Sequence, residues 1–199
     1  MGTDIHAFIE FDRSTAERPF SDGREIVPYN TATLRIPRNY AIFNALAGAR
    51  DAIVAGIAAP CPIPPRGLPR PLSDVVEANF YLWVVPDIDP ALAAASDCLE
   101  SPLPLIRTSD VERLGLRTER VPTRRLDRAA AGITAERAPN PDFHSTSWLF
   151  RDEIVRCLEL CSIQPSSVSL PFRAALSVLS QFEHELGKHR ARMVFWFDG

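Results

Sequence analysis

The 199-residue chain carries 22 Lys and Arg against 25 Asp and Glu, which gives a formal net charge of −3. This acidic balance argues against duplex nucleic acid as a partner, because such binding depends on Lys and Arg neutralising phosphates. With 46% hydrophobic and 24% charged residues, the composition is typical of a water-soluble globular protein. We expect one domain over residues 1–199.

The start of the chain shows no basic stretch followed by an apolar run, and nowhere do about 18 apolar residues follow one another. We therefore expect neither export nor a membrane span, and the sequence predicts a cytoplasmic protein. The four cysteines are interpreted as reduced thiols. Cys157 and Cys161, four positions apart, are either small buried hydrophobic residues or part of a metal site.

The first predicted elements are a strand, a loop and a helix. Residues 4–11, DIHAFIEF, alternate as a strand does. Residues 12–24 are polar and predict a loop or an excursion into a hairpin. A helix follows Pro37, with Asn39 as its N-cap and Gly48 at the position where a helix ends.

The middle of the chain is rich in proline. Residues 60–72 contain six prolines, which exclude regular structure and predict an ordered loop or a linker. A short aromatic and β-branched run at residues 79–88 predicts a strand. Residues 86–141 have weak periodicity and are interpreted as an irregular insertion that is either partly helical or mobile.

The last part of the chain predicts two helices and a final strand. Residues 149–161 indicate the first helix. Residues 171–189 indicate the second, because their apolar residues recur at three- and four-residue steps and Gly187 closes the pattern. Residues 192–199, RMVFWFDG, predict a strand at the end of the chain.

These elements predict an α+β fold with a mixed or antiparallel sheet that includes both terminal strands and packs against helices. If the first and last strands are antiparallel neighbours, Asp198 lies near Asp4 and His6. Three polar groups would then meet at one rim of the sheet. A carboxylate beside an imidazole can hold a divalent metal or orient a general base; a solvated polar edge is the alternative.

A second polar cluster is DFHSTSWLF, in which His144 precedes three hydroxyl-bearing residues and Trp148. Such groups can bind phosphate and stack on a base. The alternative is a helix start, with Ser145 or Ser147 as N-cap and Trp148 in the core. His144-Ser145-Thr146 is also similar to the H-x-T repeat of the two-histidine phosphodiesterases, of which this chain has one complete copy.

Two arginines stand beside rigid backbone. Arg38 precedes Asn39 and Tyr40 at the predicted helix start, and Arg66 lies in the proline-rich segment. A guanidinium group binds phosphate in a planar fork. Both arginines therefore suit an anionic ligand, with pairing to a carboxylate as the alternative.

Several common enzyme classes lose support because their motifs are missing from the sequence. The chain has no G-x-G-x-x-G, no G-x-x-x-x-G-K-S/T, no H-E-x-x-H and no G-x-S-x-G. Dinucleotide oxidoreductases, P-loop NTPases, zincin metalloproteases and serine hydrolases are therefore disfavoured.

Five short stretches, taken in order, resemble a family of mostly uncharacterised proteins of tailed phages and prophages. They are Met1-Gly-Thr-Asp-Ile-His6, Arg38-Asn-Tyr40, Arg66-Gly-Leu-Pro69, His144-Ser-Thr-Ser-Trp148 and Val194-Phe-Trp-Phe-Asp198. The resemblance implies a phage-encoded protein in the cytoplasm of the host cell, without an agreed activity. By analogy with small phage proteins that counter host immunity, it suggests an accessory protein that acts on an anionic nucleotide signal.

The leading prediction is hydrolysis of a phosphodiester in a cyclic nucleotide or dinucleotide, with His6 and His144 as acid and base and Asp4 orienting His6. In a variant of this prediction, a divalent metal is held by Asp4, His6, His144 and Asp198. The predicted ligand-binding residues are Arg38, Asn39, Tyr40, Arg66, Ser145, Thr146, Ser147 and Trp148.

The alternative function is a non-catalytic sponge that sequesters a cyclic dinucleotide or an ADP-ribose derivative. In that case the same residues enclose the ligand, and a homo-oligomer could complete the pocket. A third interpretation is a structural or host-factor-binding protein whose aromatic ends belong to the core.

Overall fold

The computed structural model describes residues 3–21, 25–29, 36–49, 61–87, 105–120 and 136–199. The chain divides into two compact units, one formed by Met1–Val76 with Asp142–Gly199 and the other by Glu77–Pro141. The second unit contains the stretch interpreted as an irregular insertion, and it has a small core of its own around Val84, Ile106, Val111 and Ala138.

The described residues form eight strands and five α-helices. The strands are β1 (Asp4–Asp12), β2 (Ile26–Tyr29), β3 (Tyr81–Val85), β4 (Leu105–Arg107), β5 (Glu119–Arg120), β6 (Glu136–Pro139), β7 (Phe143–Phe150) and β8 (Ala191–Asp198). The helices are α1 (Tyr40–Ala47), α2 (Asp74–Phe80), α3 (Thr108–Arg113), α4 (Arg151–Leu160) and α5 (Leu170–Leu186), with a 3-10 turn at Pro165–Ser167. The predicted α+β class is confirmed.

The first unit is built on an antiparallel sheet of order β2-β1-β8-β7. The two strands that the sequence predicts at the ends of the chain are its central pair, and their register sets Asp4 opposite Asp198 and His6 opposite Trp196. The expected meeting of both ends of the chain at one rim is therefore confirmed. β2 pairs antiparallel with β1, so the polar stretch after β1 belongs to a hairpin, which was one of its two predicted alternatives.

One face of this sheet, the helix face, carries the main core. Alternate residues of β1 and β8 are buried there against α1, α4 and α5; they include Ile5, Ala7, Ile9, Met193, Phe195 and Phe197. The stripe predicted for α5 is confirmed, since Phe172, Ala175 and Leu179 are fully buried in the same cluster. We call the opposite side of the sheet the polar face, because it holds the charged residues of both strands.

The predicted caps of α1 are also confirmed. The side chain of Asn39 accepts a hydrogen bond from the backbone N–H of Ile42 at 3.2 Å. At the other end, Gly48 adopts φ 60°, a left-handed conformation that favours glycine, and its N–H bonds to the carbonyl of Asn44. These caps define both ends of the eight-residue helix. Arg38 directly precedes the N-cap and is therefore positioned beside the sheet.

Two predicted boundaries differ from the structure. Residues 143–150 form β7 and not the start of a helix, and α4 begins only at Arg151. Asn79 and Phe80 belong to α2, so the strand predicted at residues 79–88 begins at Tyr81. In both places a strand adjoins a helix directly, so the propensity of individual residues could not mark the boundary.

The second unit contains a mixed sheet of order β4-β3-β6-β5, in which β3 pairs parallel with β4 and antiparallel with β6. Arg137 lies at its centre. Its guanidinium binds Glu77 at 3.0 Å and Glu119 at 2.8 Å and lies 3.9 Å from the centre of the Tyr81 ring. Two carboxylates and an aromatic face therefore compensate the burial of one positive charge.

Candidate functional site

The terminal rim is formed by Asp4, His6, Arg38 and Asp198. Asp198 uses both carboxylate oxygens: it accepts a hydrogen bond from the backbone N–H of Asp4 at 2.9 Å and one from Nε2 of His6 at 2.9 Å. Burial by itself would raise the pKa of Asp198, but the hydrogen bonds from His6 and Asp4 outweigh it and hold the pKa below its usual value. The carboxylate thus stays ionised and orients the half-buried imidazole.

Asp4 is engaged by a different partner. Its carboxylate accepts two hydrogen bonds from Arg38, at 2.6 and 2.8 Å. This contact is the main reason that the pKa of Asp4 lies below its usual value. The role predicted for Asp4, orienting His6, belongs instead to Asp198. Arg38, which the sequence assigns to a ligand, is paired with a carboxylate.

His144 lies on the other side of the sheet. Its partner in register is Phe197, a residue of the helix face, and the two rings stack with their centres 6.1 Å apart. His6 is opposite Trp196 on the polar face and contacts Trp196 and Phe143. The sheet therefore separates the two imidazoles that the sequence predicts as an acid and base pair.

The predicted metal set of Asp4, His6, His144 and Asp198 does not assemble. All four residues belong to the described part of the chain, and no group of three or more His, Cys, Asp or Glu side chains there could hold a metal ion. The reason is geometric: Asp4 is paired with Arg38, and His144 lies on the opposite face of the sheet.

Asn39 and Tyr40 have roles in the fold. Asn39 caps α1, and Tyr40 packs edge-on against Phe43, with ring centres 6.1 Å apart. They anchor the helix that presents Arg38 to the rim.

Arg66 lies near a bulge in β7 between His144 and Ser147. Its backbone N–H donates to the buried Oγ of Ser147 at 3.2 Å, and the next N–H, of Gly67, donates to the carbonyl of Thr146 at 3.0 Å. The Arg66 guanidinium makes a bidentate pair with Glu153, at 2.5 and 2.9 Å. Ser145 has φ 48° and donates or accepts a hydrogen bond with Nδ1 of His144 at 3.1 Å. These contacts fix the proline-rich segment to the sheet.

A cleft of about 930 Å³ opens on the polar face, at the opposite end of the sheet from the terminal rim. One wall is residues 17–21, from the loop between β1 and β2, and the other is residues 68–71, from the proline-rich segment. Trp148 and Phe150 of β7 form the floor with the turn and strand at residues 188–192. Trp148 is the one predicted ligand residue that lines this cleft.

The first wall is held by Asp12, which is fully buried. Its carboxylate accepts hydrogen bonds from the backbone N–H groups of Ser14 at 2.8 Å and Phe20 at 2.6 Å. Arg190 completes the arrangement by donating to the carbonyls of Ser14 and Ala16. The loop that carries Phe20 is therefore bonded both to β1 and to the turn before β8.

Asp12 makes the first wall sensitive to acid. Burial by itself would raise its pKa, but the hydrogen bonds from Phe20 and Ser14 outweigh it and hold the pKa below the usual 3.8. Because the pKa of Asp12 is lower in the folded state than in the unfolded state, its ionised carboxylate stabilises the fold. This stabilisation is complete above about pH 4 and is lost as the pH falls through the pKa of the folded state.

We expect Asp12→Asn to lower the free energy of unfolding at pH 7 by about 1–3 kcal/mol, because an amide accepts fewer and weaker hydrogen bonds. The loss of stability between pH 5 and pH 3 should be smaller in the variant than in the wild type. Denaturant unfolding at pH 7, 5 and 3 measures both effects. Equal acid sensitivity in the two proteins would contradict this role.

The second wall is held by a buried ion pair between Glu10 and Arg192. The Arg192 guanidinium donates to Glu10 Oε2 at 2.7 and 3.0 Å and to the carbonyl of Pro71 at 2.6 Å. The other oxygen of Glu10 accepts the backbone N–H of Ser73 at 2.6 Å. Two strand residues thereby position the segment that carries Arg70.

The floor is aromatic. The rings of Trp148 and Phe150 meet edge to face with centres 5.3 Å apart, and the imidazole of His189 stacks on Phe150 at 4.3 Å. From the first wall, Phe20 lies under the Arg192 guanidinium at 4.0 Å. Planar rings and guanidinium groups of this kind offer stacking surfaces to a planar ligand.

The charge of the lining is positive although the whole chain is acidic. The lining contains five Lys and Arg side chains and one carboxylate, that of Glu17. The basic residues are Arg18, Arg70, Lys188, Arg190 and Arg192. Carboxylates behind the lining balance three of them: Glu10 pairs with Arg192, Asp12 with Arg190 and Asp152 with Lys188. Arg18 has no ion pair or hydrogen bond from its side chain within the described part of the chain, so a positive excess remains.

Sequence reasoning missed most of this cleft. The helix predicted over residues 171–189 extends into the stretch KHRAR at residues 188–192, while in the structure this stretch is a turn and the start of β8. Its alternating Lys188, Arg190 and Arg192 were the available signal. Arg18 and Arg70 stand alone in loops, where nothing in the local pattern distinguishes them.

The cysteines do not form a reactive centre in the described residues. Cys61, Cys157 and Cys161 are free thiols, and the last two are buried. Burial raises the pKa of Cys157 to about 12, which keeps it protonated and unreactive at neutral pH. Cys157 and Cys161 thus serve as small core residues. Cys98 lies outside the described residues.

Comparisons with protein-family models, with curated proteins and with solved structures found no match to this chain. The resemblance to phage proteins, the cytoplasmic location and the homo-oligomer therefore stay predictions. Within the residues that the structure describes, no helix is both long enough and apolar enough to cross a bilayer.

Proposed function

We propose that this chain binds a small anionic molecule of the nucleotide class in the cleft on the polar face and holds it without turnover. The observation that carries this proposal is the lining itself, which combines an excess of guanidinium and ammonium groups with three aromatic rings in a chain of net charge −3. Positive groups suit phosphates, and rings suit a base. Apolar ligands would not need such charge.

The size of the cleft agrees with a ligand larger than a mononucleotide. About 930 Å³ is near the upper end of the range of roughly 300–1,000 Å³ that is common for small-molecule sites. A cyclic dinucleotide or an ADP-ribose derivative is of suitable size. If the chain is encoded by a phage, as its resemblance implies, such binding would remove a nucleotide signal from the host.

Holding without turnover is favoured over hydrolysis by the positions of the imidazoles. His6 and His144 lie on opposite faces of the sheet, so they cannot act on one phosphodiester as acid and base. The cleft also offers no group of metal ligands among the described residues. The sponge is therefore the better supported of the two predicted functions.

Hydrolysis remains a second candidate because of one contact. The imidazole of His6 is oriented by Asp198, as the imidazole of a general base usually is by a carboxylate. If the chain cleaves a nucleotide, His6→Asn should lower the turnover at least about a hundredfold.

The test is binding of cyclic di-GMP, cyclic di-AMP, ADP-ribose and ATP, measured by calorimetry, with adenosine as the uncharged control. We expect at least one anionic nucleotide to bind, and adenosine to bind at least about tenfold more weakly. Arg18→Ala should weaken binding about threefold to tenfold, since it removes one cation that faces the ligand. Arg13→Ala is the matched control: Arg13 is an exposed arginine of the same loop and does not line the cleft.

The fate of the ligand separates the two functions. After incubation, the protein is heated and the released ligand is analysed by chromatography. Release of intact ligand supports sequestration, and release of a cleaved product would show that the chain is a hydrolase. If no anionic nucleotide binds, or if Arg13→Ala weakens binding as much as Arg18→Ala, the cleft is not the site.

A further inference from the structure

One side of the cleft contains two basic residues that share a single carboxylate oxygen. Lys188 Nζ lies 3.0 Å from Asp152 Oδ2, and His189 Nε2 lies 3.1 Å from the same atom. All three side chains are partly exposed, and both basic residues line the cleft. A carboxylate oxygen that serves two donors can release one of them to a ligand at little cost, because it keeps the other.

Two other basic residues of the lining, Arg190 and Arg192, are less able to turn toward a ligand. Arg190 is committed to Asp12 and to two carbonyls of the first wall, and Arg192 is buried against Glu10. Moving either would leave a buried carboxylate without its partner, which is expensive. Lys188 and His189 are therefore better placed than the buried arginines to form the part of the cleft that contacts the anion.

The imidazole of His189 is held in one orientation. It stacks on Phe150 with an interplanar angle of 17°, and its Nε2 is occupied by Asp152. Burial by itself would raise the pKa of Asp152, but hydrogen bonds from Lys188 and His189 outweigh it and hold the pKa below its usual value. Asp152 thus stays an acceptor, Nε2 carries the hydrogen, and Nδ1 is the remaining ring nitrogen for a ligand.

The state of Nδ1 decides how the ring meets an anion. In the neutral ring with Nε2–H, Nδ1 is an acceptor and repels a phosphate oxygen. In the protonated ring, Nδ1–H is a donor and the ring carries a positive charge. Histidine is the side chain whose charge ordinarily changes between pH 5 and 8.

We infer that Lys188 and His189 form the anion subsite of the cleft, and that protonation of His189 strengthens the binding of a phosphodiester there. A phosphodiester is the suitable probe of this subsite, because it keeps one negative charge over the whole pH range. A phosphate monoester would change its own charge near pH 6, which would obscure the effect of the imidazole. This inference rests on the proposed function, since it requires an anionic ligand in the cleft.

The charged groups around the ring are known from each neighbouring element. Asp152 belongs to α4, Lys188 and Arg190 belong to the turn before β8, and Arg192 belongs to β8 itself. Across the cleft, the loop after β1 contributes Glu17 and Arg18. Of these groups, Asp152 is the carboxylate that contacts the imidazole directly.

The experiment measures the affinity for cyclic di-AMP by calorimetry at pH 5.5, 6.5 and 8.0 and constant ionic strength. Both phosphodiesters of this probe keep one charge each over the range. We expect the wild type to bind roughly fivefold more tightly at pH 5.5 than at pH 8.0, as one added charge at a partly exposed site should give. The affinity of His189→Asn should change less than about twofold between pH 5.5 and pH 8.0.

Asparagine is the suitable replacement at position 189. The residue has φ 63°, a left-handed conformation that asparagine tolerates. His184→Asn is the matched control, because His184 is an exposed histidine of α5 that does not line the cleft. It should keep the pH response of the wild type.

A second variant tests the shared carboxylate. Asp152→Asn keeps a side-chain oxygen for the backbone N–H of Glu153, which Asp152 accepts at 3.0 Å, but removes the negative charge that competes with the ligand. We expect roughly threefold tighter binding at pH 8.0. Weaker binding in this variant would argue against competition.

The outcomes separate the two proposals. If cyclic di-AMP and the other anionic nucleotides fail to bind at every pH, the proposed function falls and the subsite with it. If the probe binds with the same affinity at all three pH values, or if His189→Asn keeps the full pH response, the cleft still binds nucleotides but Lys188 and His189 are not its anion subsite.

Discussion

Glu10→Gln is expected to lower the free energy of unfolding by about 3–5 kcal/mol. The side chains of Glu10 and Arg192 are 0% and 3% exposed, so neutralising Glu10 leaves a guanidinium buried without its counter-charge. Burial already lowers the pKa of Arg192 from its usual value, against the opposing effect of Glu10. Denaturant unfolding followed by tryptophan fluorescence measures the loss, in a Trp83→Phe background that limits the signal to Trp148 and Trp196.

The matched control is Asp4→Asn, at the other end of the same strand. The side chains of Asp4 and its partner Arg38 are 57% and 48% exposed. Ion pairs as exposed as this one contribute about 0–1 kcal/mol to the free energy of unfolding. Removing both buried charges, in Glu10→Gln with Arg192→Met, should be less harmful than Glu10→Gln alone. Equal losses for Glu10→Gln and Asp4→Asn would mean that the buried pair does not hold the second wall.

The ends of the chain were predictable because their patterns are regular. β1 alternates in sequence and β8 is apolar from Met193 to Phe197, and an antiparallel pair of such strands has few possible registers once one face must be buried. This logic correctly places Asp198 beside Asp4 and His6. The stripe of α5 and the caps of α1 were predictable for the same reason, since each depends on residues close together in sequence.

The bulge in β7 explains why the predicted cluster around His144 does not assemble. In a regular strand, His144 and Trp148 are four residues apart and share a face. One extra residue between His144 and Ser147 reverses the alternation, so that His144 pairs with Phe197 on the helix face and Trp148 with Val194 on the polar face. A bulge that includes Ser145 at φ 48° leaves no reliable signal in the sequence.

The cleft was unpredictable because its parts are far apart in the chain. The contact between Glu10 and Arg192 joins residues 182 positions apart, and the contact between Glu10 and Ser73 joins residues 63 positions apart. Each wall depends on a buried charge, Asp12 for one and Glu10 for the other. In the sequence, both acids look like the solvated positions of an alternating strand.

Trp148→Ala is expected to weaken nucleotide binding about tenfold to a hundredfold. Stacking of one base on an aromatic side chain contributes about 1–3 kcal/mol, and Trp148 is the largest ring on the floor of the cleft. Calorimetry with the tightest-binding nucleotide measures the change, and circular dichroism shows whether the variant is folded. An affinity equal to that of the wild type would remove Trp148 from the site.

Trp148→Phe separates stacking from the structural role of the ring. The Arg66 guanidinium lies 4.8 Å from the centre of the Trp148 ring and that of Arg192 lies 5.8 Å away, so the alanine variant also removes a surface against which both arginines rest. Phenylalanine keeps a smaller surface of the same kind. If stacking determines affinity, Trp148→Phe binds within about fivefold of the wild type, because a benzene ring still stacks on a base. If both variants bind equally weakly while remaining folded, the indole acts through the positions of Arg66 and Arg192 and not through contact with the ligand.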